Sequence, residues 1–330
     1  MTCLFACGTQ RSDDAALGTS ASGATGNQPA GSTSGVTPEA STGEPEAESS
    51  SGFADESTGD DPGTNFDLGA GPDAGPPPSV PGCPAVDFLF VIDNSISMLH
   101  YQENLQAAFP AFIDDIQSSL ESVESYHVGV VTTDHYIYNQ TQCQRLGALV
   151  TQSHAGVCGP YAEGHNFMTE ADDLAASFTC ASTVGNNGDM YEKPMAALEG
   201  ALGQTWSAQD DQTPTTQFCN EGFVRDDALL VAVIVGDEPE GHSDASPGVP
   251  STWYQSVIDA KGGQAENAVV LTITNGDACT PPLNDGGISA FADLFGDNGS
   301  KACIRDDFSA SLGDSIDVIT QACADFVPPG

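Results

Sequence analysis

The sequence predicts an α/β fold: a doubly wound, mostly parallel central sheet with helices on both faces, elaborated by disulfides and preceded by a disordered stalk. Three observations carry this. Short apolar runs of strand length alternate with segments whose apolar residues recur every three or four positions, as in strand–helix–strand winding. Two of those runs end abruptly in acid, as expected of strands whose carboxyl ends form a ligand-binding edge. The first quarter of the chain is too poor in large apolar residues to build a core.

Residues 8–82 are mostly Ser, Gly, Thr, Ala, Pro and acid, with Leu17, Phe53, Phe66 and Leu68 almost the only large apolar side chains. Burial there cannot offset the entropy of ordering, so a disordered linker is expected. Residues 83–326 form the expected domain and 327–330 a tail. Val86 to Ile92 reads as a central strand, apolar enough to be covered on both faces. Leu105, Phe109, Phe112, Ile113, Ile116 and Leu120 then mark one buried helical stripe, with Pro110 expected to kink the helix or start its second half. Tyr126 to Asp134 reads as the next strand. His135 to Thr183, with three cysteines and many polar residues, reads as a crosslinked insertion. Tyr191 to Leu202 is a helix with Pro194 near its start, and Ala228 to Val235 is the most apolar strand, ending at Gly236-Asp237-Glu238. Trp253 to Ala260 is helical and Ala268 to Ile273 a strand. Leu312, Ile316, Ile319 and Cys323 share a face of the closing helix.

The formal charge of -40, from 47 acidic and 7 basic side chains, excludes nucleic-acid binding, because nothing neutralises phosphates. It likewise excludes docking on an anionic membrane through a basic patch. Of ten cysteines, Cys83, Cys143, Cys158, Cys180, Cys219, Cys279, Cys303 and Cys323 fall in the expected domain, widely spaced and without a Cys-x-x-Cys pair. Disulfides in an oxidising compartment explain them better than a zinc site does. Sequence leaves the connectivity open; Cys83 with Cys323 is expected to staple the ends of the domain, the other bridges pinning loop insertions. Leu4-Phe5-Ala6-Cys7-Gly8 resembles a bacterial lipobox, which implies lipidation at Cys7. Only six residues precede Cys7, with no basic n-region and no full apolar h-region. Either a start codon lies upstream or the match is accidental.

The chemistry concentrates at Asp93-Asn94-Ser95-Ile96-Ser97. One carboxylate and two hydroxyls leave the first strand together, where a hard cation can be held. Asp237 reaches the same edge from another strand. Asp93-x-Ser95-x-Ser97 after the first strand, with Asp237 later, resembles the metal-ion-dependent adhesion site of von Willebrand factor type A domains, over about Cys83 to Phe326. The resemblance implies neighbouring strands at the switch point and a third ligand, a Thr before the second long helix. Glu192 stands at that position, and Thr183 is the other candidate. Glu238 and Asp134 are expected behind the direct ligands.

Few carboxylates and several hydroxyls suit Mg2+, with Mn2+ or Ca2+ as alternatives. A partner protein's carboxylate is expected at the open coordination position, though Glu192 weakens the ion's pull on an incoming acid. The resemblance thus implies a non-enzymatic adhesion or protein-interaction module outside the cytoplasm, on a bacterial outer membrane or cell surface as a lipoprotein, or in the periplasm. One alternative keeps the fold with a purely structural ion. Another is a hydrolase with His242 as base and Ser95 or Ser97 as nucleophile; no Gly-x-Ser-x-Gly elbow supports it.

Overall fold

The computed structural model describes residues 82–120, 123–189, 191–203, 216–240 and 248–328, within the compact unit Gly71–Gly330. The linker expected over 8–82 (all but Gly82), the lipobox with Cys7, and His242 lie outside the described residues.

Strand β1 (Ala85–Ile92) is buried throughout and continues into helix α1 (Leu99–Ser119). Strand β2 (Ser125–Thr132) follows, then an insertion carrying a short hairpin, β3 (Gln152–Ser153) with β4 (Gly156–Val157), and helix α2 (Leu174–Ser182). Helices α3 (Pro194–Ala201) and α4 (Thr216–Cys219) lead to β5 (Ala228–Val235). The chain then alternates α5 (Pro250–Ala260), β6 (Ala268–Thr274), α6 (Ile288–Asp293), β7 (Gly299–Cys303) and α7 (Phe308–Ala324).

The main sheet has five strands in the order β2-β1-β5-β6-β7, all parallel. The expectation of a mostly parallel sheet sharpens accordingly. Among the described residues its antiparallel contact is one isolated bridge, Val128 with Met168, closed by two backbone hydrogen bonds of 2.9 Å. Alternate strand residues feed two cores. Phe88, Phe90, Val231 and Leu271 pack with Phe109 and Phe112 of α1, Phe178 of α2 and Leu312 of α7. Leu89, Val91, Ile234 and Val270 pack with Leu198 of α3, Trp253 of α5 and Phe291 of α6. Helices therefore cover both faces, which is why the central strands read as continuous apolar runs.

Several elements depart from expectation, the helices α2, α4 and α6 and the β3–β4 hairpin among them. Helix α1 runs unbroken through Pro110, which lies on the exposed side; water there can satisfy the carbonyl that the missing N–H leaves unpaired. Helix α3 begins at Pro194 rather than Tyr191, with Lys193 as N-cap, so Glu192 belongs to the preceding loop. Strand β7 was not legible because its sequence, Gly-Ser-Lys-Ala-Cys, is that of a half-exposed edge.

The eight cysteines form four disulfides: Cys83–Cys323, Cys143–Cys219, Cys158–Cys180 and Cys279–Cys303. The first closes 240 residues and joins the start of β1 to the end of α7, as expected. The second ties the insertion to α4, the third lies within the insertion, and the fourth fastens the loop after β6 to the end of β7. Four bridges suit an oxidising, extracytoplasmic compartment. No helix among the described residues is long and apolar enough to cross a membrane. Replacing Cys83 and Cys323 together by Ser is expected to cost about 2–5 kcal/mol, read as a lower urea midpoint; an unchanged midpoint contradicts the stapling role.

Candidate metal centre

Strands β1 and β5 are neighbours from which the chain departs in opposite directions, to β2 on one side and β6 on the other. Such a reversal opens a crevice beyond the carboxyl ends of the strands. Asp93 stands there directly after β1, its backbone N–H donating to the Val235 carbonyl at 2.9 Å. Asp237 stands there one residue past Gly236. A Cβ on Gly236 would lie 3.1 Å from the Asp93 Cβ and 3.2 Å from its Oδ2, so glycine makes room for the carboxylate.

The four residues marked by the motif form one chain of contacts. The Ser95 backbone N–H donates to Asp93 Oδ1 at 2.6 Å. Ser95 Oγ and Ser97 Oγ are 3.3 Å apart, and Ser97 Oγ donates to Asp237 Oδ1 at 2.9 Å. Asp93 and Ser95 are buried, whereas Ser97 is exposed.

Glu192 closes the other side. It is 2% exposed, and its Oε2 accepts a hydrogen bond from the Thr133 hydroxyl. Thr133 Oγ1 also lies 3.3 Å from Asn94 Oδ1, which joins Glu192 to the motif loop. Thr183, the other candidate, caps the end of α2: its hydroxyl donates to the Thr179 carbonyl at 2.7 Å and accepts from Gln106. Asp134 buttresses the loop, accepting from Asn94 Nδ2 at 3.1 Å, the Thr132 hydroxyl and the Asp189 backbone N–H. Glu238 is half-buried beside Asp237.

Two carboxylate oxygens in this crevice, Asp93 Oδ2 and Glu192 Oε1, are buried without a hydrogen-bond partner. Burial pushes the Asp93 carboxyl up to about 7, against hydrogen bonds from Ser95 that lower it, with Asp237 and Glu238 adding repulsion. Burial pushes Glu192 up to about 9, reinforced by Asp93. A buried pair of this kind demands positive charge, from protons or from a cation. The oxygen-only donor set fits a hard divalent ion. Among the described residues no group of three or more His, Cys, Asp or Glu side chains forms a metal-binding cluster, so Asp93, Asp237 and Glu192 do not converge as three carboxylates; hydroxyls make up half of the set formed by Asp93, Ser95, Ser97 and Asp237.

Several supporting residues were not anticipated. Gln102 is 2% exposed, and its Nε2 donates to the Asp93 carbonyl at 3.2 Å and the Gly185 carbonyl at 2.8 Å. Its position on the apolar stripe of α1, three before Leu105, was the available signal. Asn275 Nδ2 donates to the Asp237 carbonyl at 2.8 Å. Gly188 lets its loop lie on the motif: its N–H donates to the Asn94 carbonyl at 2.9 Å, and a Cβ there would come within 2.8 Å of that oxygen.

No family model matches the chain, and no curated protein sequence matches it. Among solved structures, crystal form 2 of proximal thread matrix protein 1 from the mussel byssus aligns with 74% of this chain at 12% identity and a TM-score of 0.38. The alignment takes in 49% of that chain, about half of its length.

Proposed function

We propose that the chain carries a von Willebrand factor type A-like domain that holds a divalent cation, Mg2+ by preference and Mn2+ or Ca2+ as alternatives, and uses that edge to bind a partner protein outside the cytoplasm. The observation that carries this is the pair of buried, unpartnered oxygens, Asp93 Oδ2 and Glu192 Oε1, beside the hydroxyls of Ser95 and Ser97. Asp93, Ser95, Ser97 and Asp237 would hold the ion, with Glu192 as the remaining carboxylate and Asp134, Asn94 and Gln102 fixing the loops. A bound ion would supply Lewis acidity at this edge.

Orientation also supports a binding role. The chain enters β1 beside Cys83, and the crevice lies at the far end of an eight-residue strand, about 26 Å away at about 3.3 Å per residue. The Cys83 staple and the crevice thus stand at opposite edges of the sheet. The hydroxyls of Ser95 and Ser97 contact each other and Asp237, the arrangement expected of oxygen donors gathered for an ion. Glu192 also favours a second reading, an ion held for structure alone, because an added carboxylate leaves less charge for a guest.

Crystals grown in Mn2+ test the site. An anomalous peak among Asp93, Ser95, Ser97 and Asp237, lost in Asp93→Ala, is the expected result. No peak at millimolar Mn2+ overturns the assignment. Pulldown of a partner by wild type and not by Asp93→Ala separates the binding role from the structural one.

A further inference from the structure

Three aliphatic side chains stand exposed around this edge, where a purely structural ion site has no use for them. Ile96, between the two motif serines, is 81% exposed, and Leu99 at the start of α1 is 50% exposed. Leu283 is 55% exposed, and its backbone N–H donates to the carbonyl of Asn275, whose side chain donates to the Asp237 carbonyl. The Ser97 hydroxyl on Asp237 Oδ1 brings the motif loop against the same residue. Asp237 and Glu238 therefore sit between apolar groups on either side.

The charge around them is mostly negative, with Arg305 as the exception. A divalent ion neutralises Asp93 and Asp237 and still leaves the carboxylates of Glu238 and Asp134 at the edge. Of the nearby bases, Lys193 Nζ is 3.9 Å from Asp189 and Lys301 lies between Asp277 and Asp293, whereas Arg305 donates to the neutral Pro281 carbonyl and keeps its charge. We infer that this rim binds a cationic and aliphatic segment of a partner protein, seated on Ile96, Leu99 and Leu283 with an Arg or Lys against Glu238. The inference rests on the ion site proposed above and names the chemistry of its partner.

Other occupants fit less well. A second copy brings a formal charge of -40, and residues 1–81 contain one base, Arg11, among many acids. Both meet like charge at the contact. An acidic ligand is repelled by Glu238 beside Asp237. A cationic segment gains from the field at long range and from apolar burial on contact.

Fluorescence anisotropy of the full-length protein in millimolar Mg2+ tests this with three labelled peptides of identical Leu and Ile content bearing Arg, Gln or Glu at the same positions. The Arg peptide is expected to bind at least about tenfold more tightly than the Gln peptide, to weaken with added NaCl, and to lose about tenfold with Ile96→Ser, which leaves the charge unchanged. Glu238→Gln is expected to weaken it several-fold. Val327→Ser, exposed beside Asn267 at the opposite edge, should leave it unaltered. Tighter binding of the Glu peptide, abolished by EDTA, overturns the inference, as does full affinity in Ile96→Ser with its fold intact by circular dichroism. Thermal stabilisation by Mg2+ without peptide reads the ion site separately. A Mg2+ response with no Arg preference sinks only the partner chemistry; Arg preference with no Mg2+ response sinks the ion site.

Discussion

Arg225→Met is expected to cost about 3–5 kcal/mol, the penalty for stranding a buried charge, and to cost more at pH 8 than at pH 5. Asp87 sits inside β1 with no exposure, one residue from Phe88. Its carboxylate accepts from Arg225 Nε at 2.8 Å and from the Arg225 backbone N–H at 2.7 Å, with Nη2 2.6 Å away. The same guanidinium donates to Ser125 Oγ and the Val86 carbonyl, and Lys261 Nζ donates to the Arg225 carbonyl at 2.6 Å. The neighbouring His127 does not substitute for it. Burial pushes that imidazole down to about 4, so it is neutral at pH 7, and its Nδ1 is engaged by the Phe223 carbonyl at 2.8 Å. Even with Arg225 present, burial holds Asp87 at about 6, above its ordinary 3.8. A carboxyl raised on folding loses stability as pH rises from its unfolded towards its folded value. Without Arg225 the folded value climbs further, so the variant's deficit widens through neutrality. Urea unfolding at pH 5 and pH 8 measures this. A deficit below about 1 kcal/mol, or one independent of pH, contradicts the role given to the pair.

The sheet was legible because local and global preferences agree in its central strands. A strand buried on both faces must be apolar at every position, so Ala228–Val235 and Ala268–Thr274 declare themselves. The edge strand β7 has no such constraint. The Asp-x-Ser-x-Ser loop was legible because its residues are adjacent, and Asp237 because it ends the most apolar run. The ion pair of Asp87 with Arg225 was not, since 138 positions separate its partners and nothing local links them. Glu192 was half legible. Its place before α3 could be read, but its burial comes from packing beneath Thr133 and the motif loop, which no period in the chain records.

The stability of the ion-free protein should fall as pH rises from about 6 to 9, and Mg2+ should reverse the loss. Burial raises Asp93 from 3.8 to about 7 and Glu192 from 4.5 to about 9. Both groups therefore hold protons in the folded state at a pH where the unfolded chain has released them. For each group, stability declines by up to about 1.4 kcal/mol per pH unit across its own window. Asp87 acts in the same direction chiefly around 6 and below, and His127 in the opposite direction up to its ordinary 6.5, so the crevice pair dominates the upper part of the interval. A divalent ion replaces the protons, and its affinity rises as they leave. Thermal unfolding in EDTA should give a midpoint that drops steadily from pH 6 to pH 9. Millimolar Mg2+ should add little at pH 6 and several degrees at pH 8.5, where a concentration about a hundredfold above Kd contributes about 2.7 kcal/mol. Glu192→Gln keeps the side-chain volume and removes the upper titration, so its midpoint in EDTA should flatten above pH 7. Asp93→Asn should flatten the lower part and abolish the Mg2+ response. Flat wild-type stability in EDTA over this interval, or a Mg2+ gain independent of pH, means that neither carboxyl needs a positive partner there, and the case for an ion in this crevice goes with it.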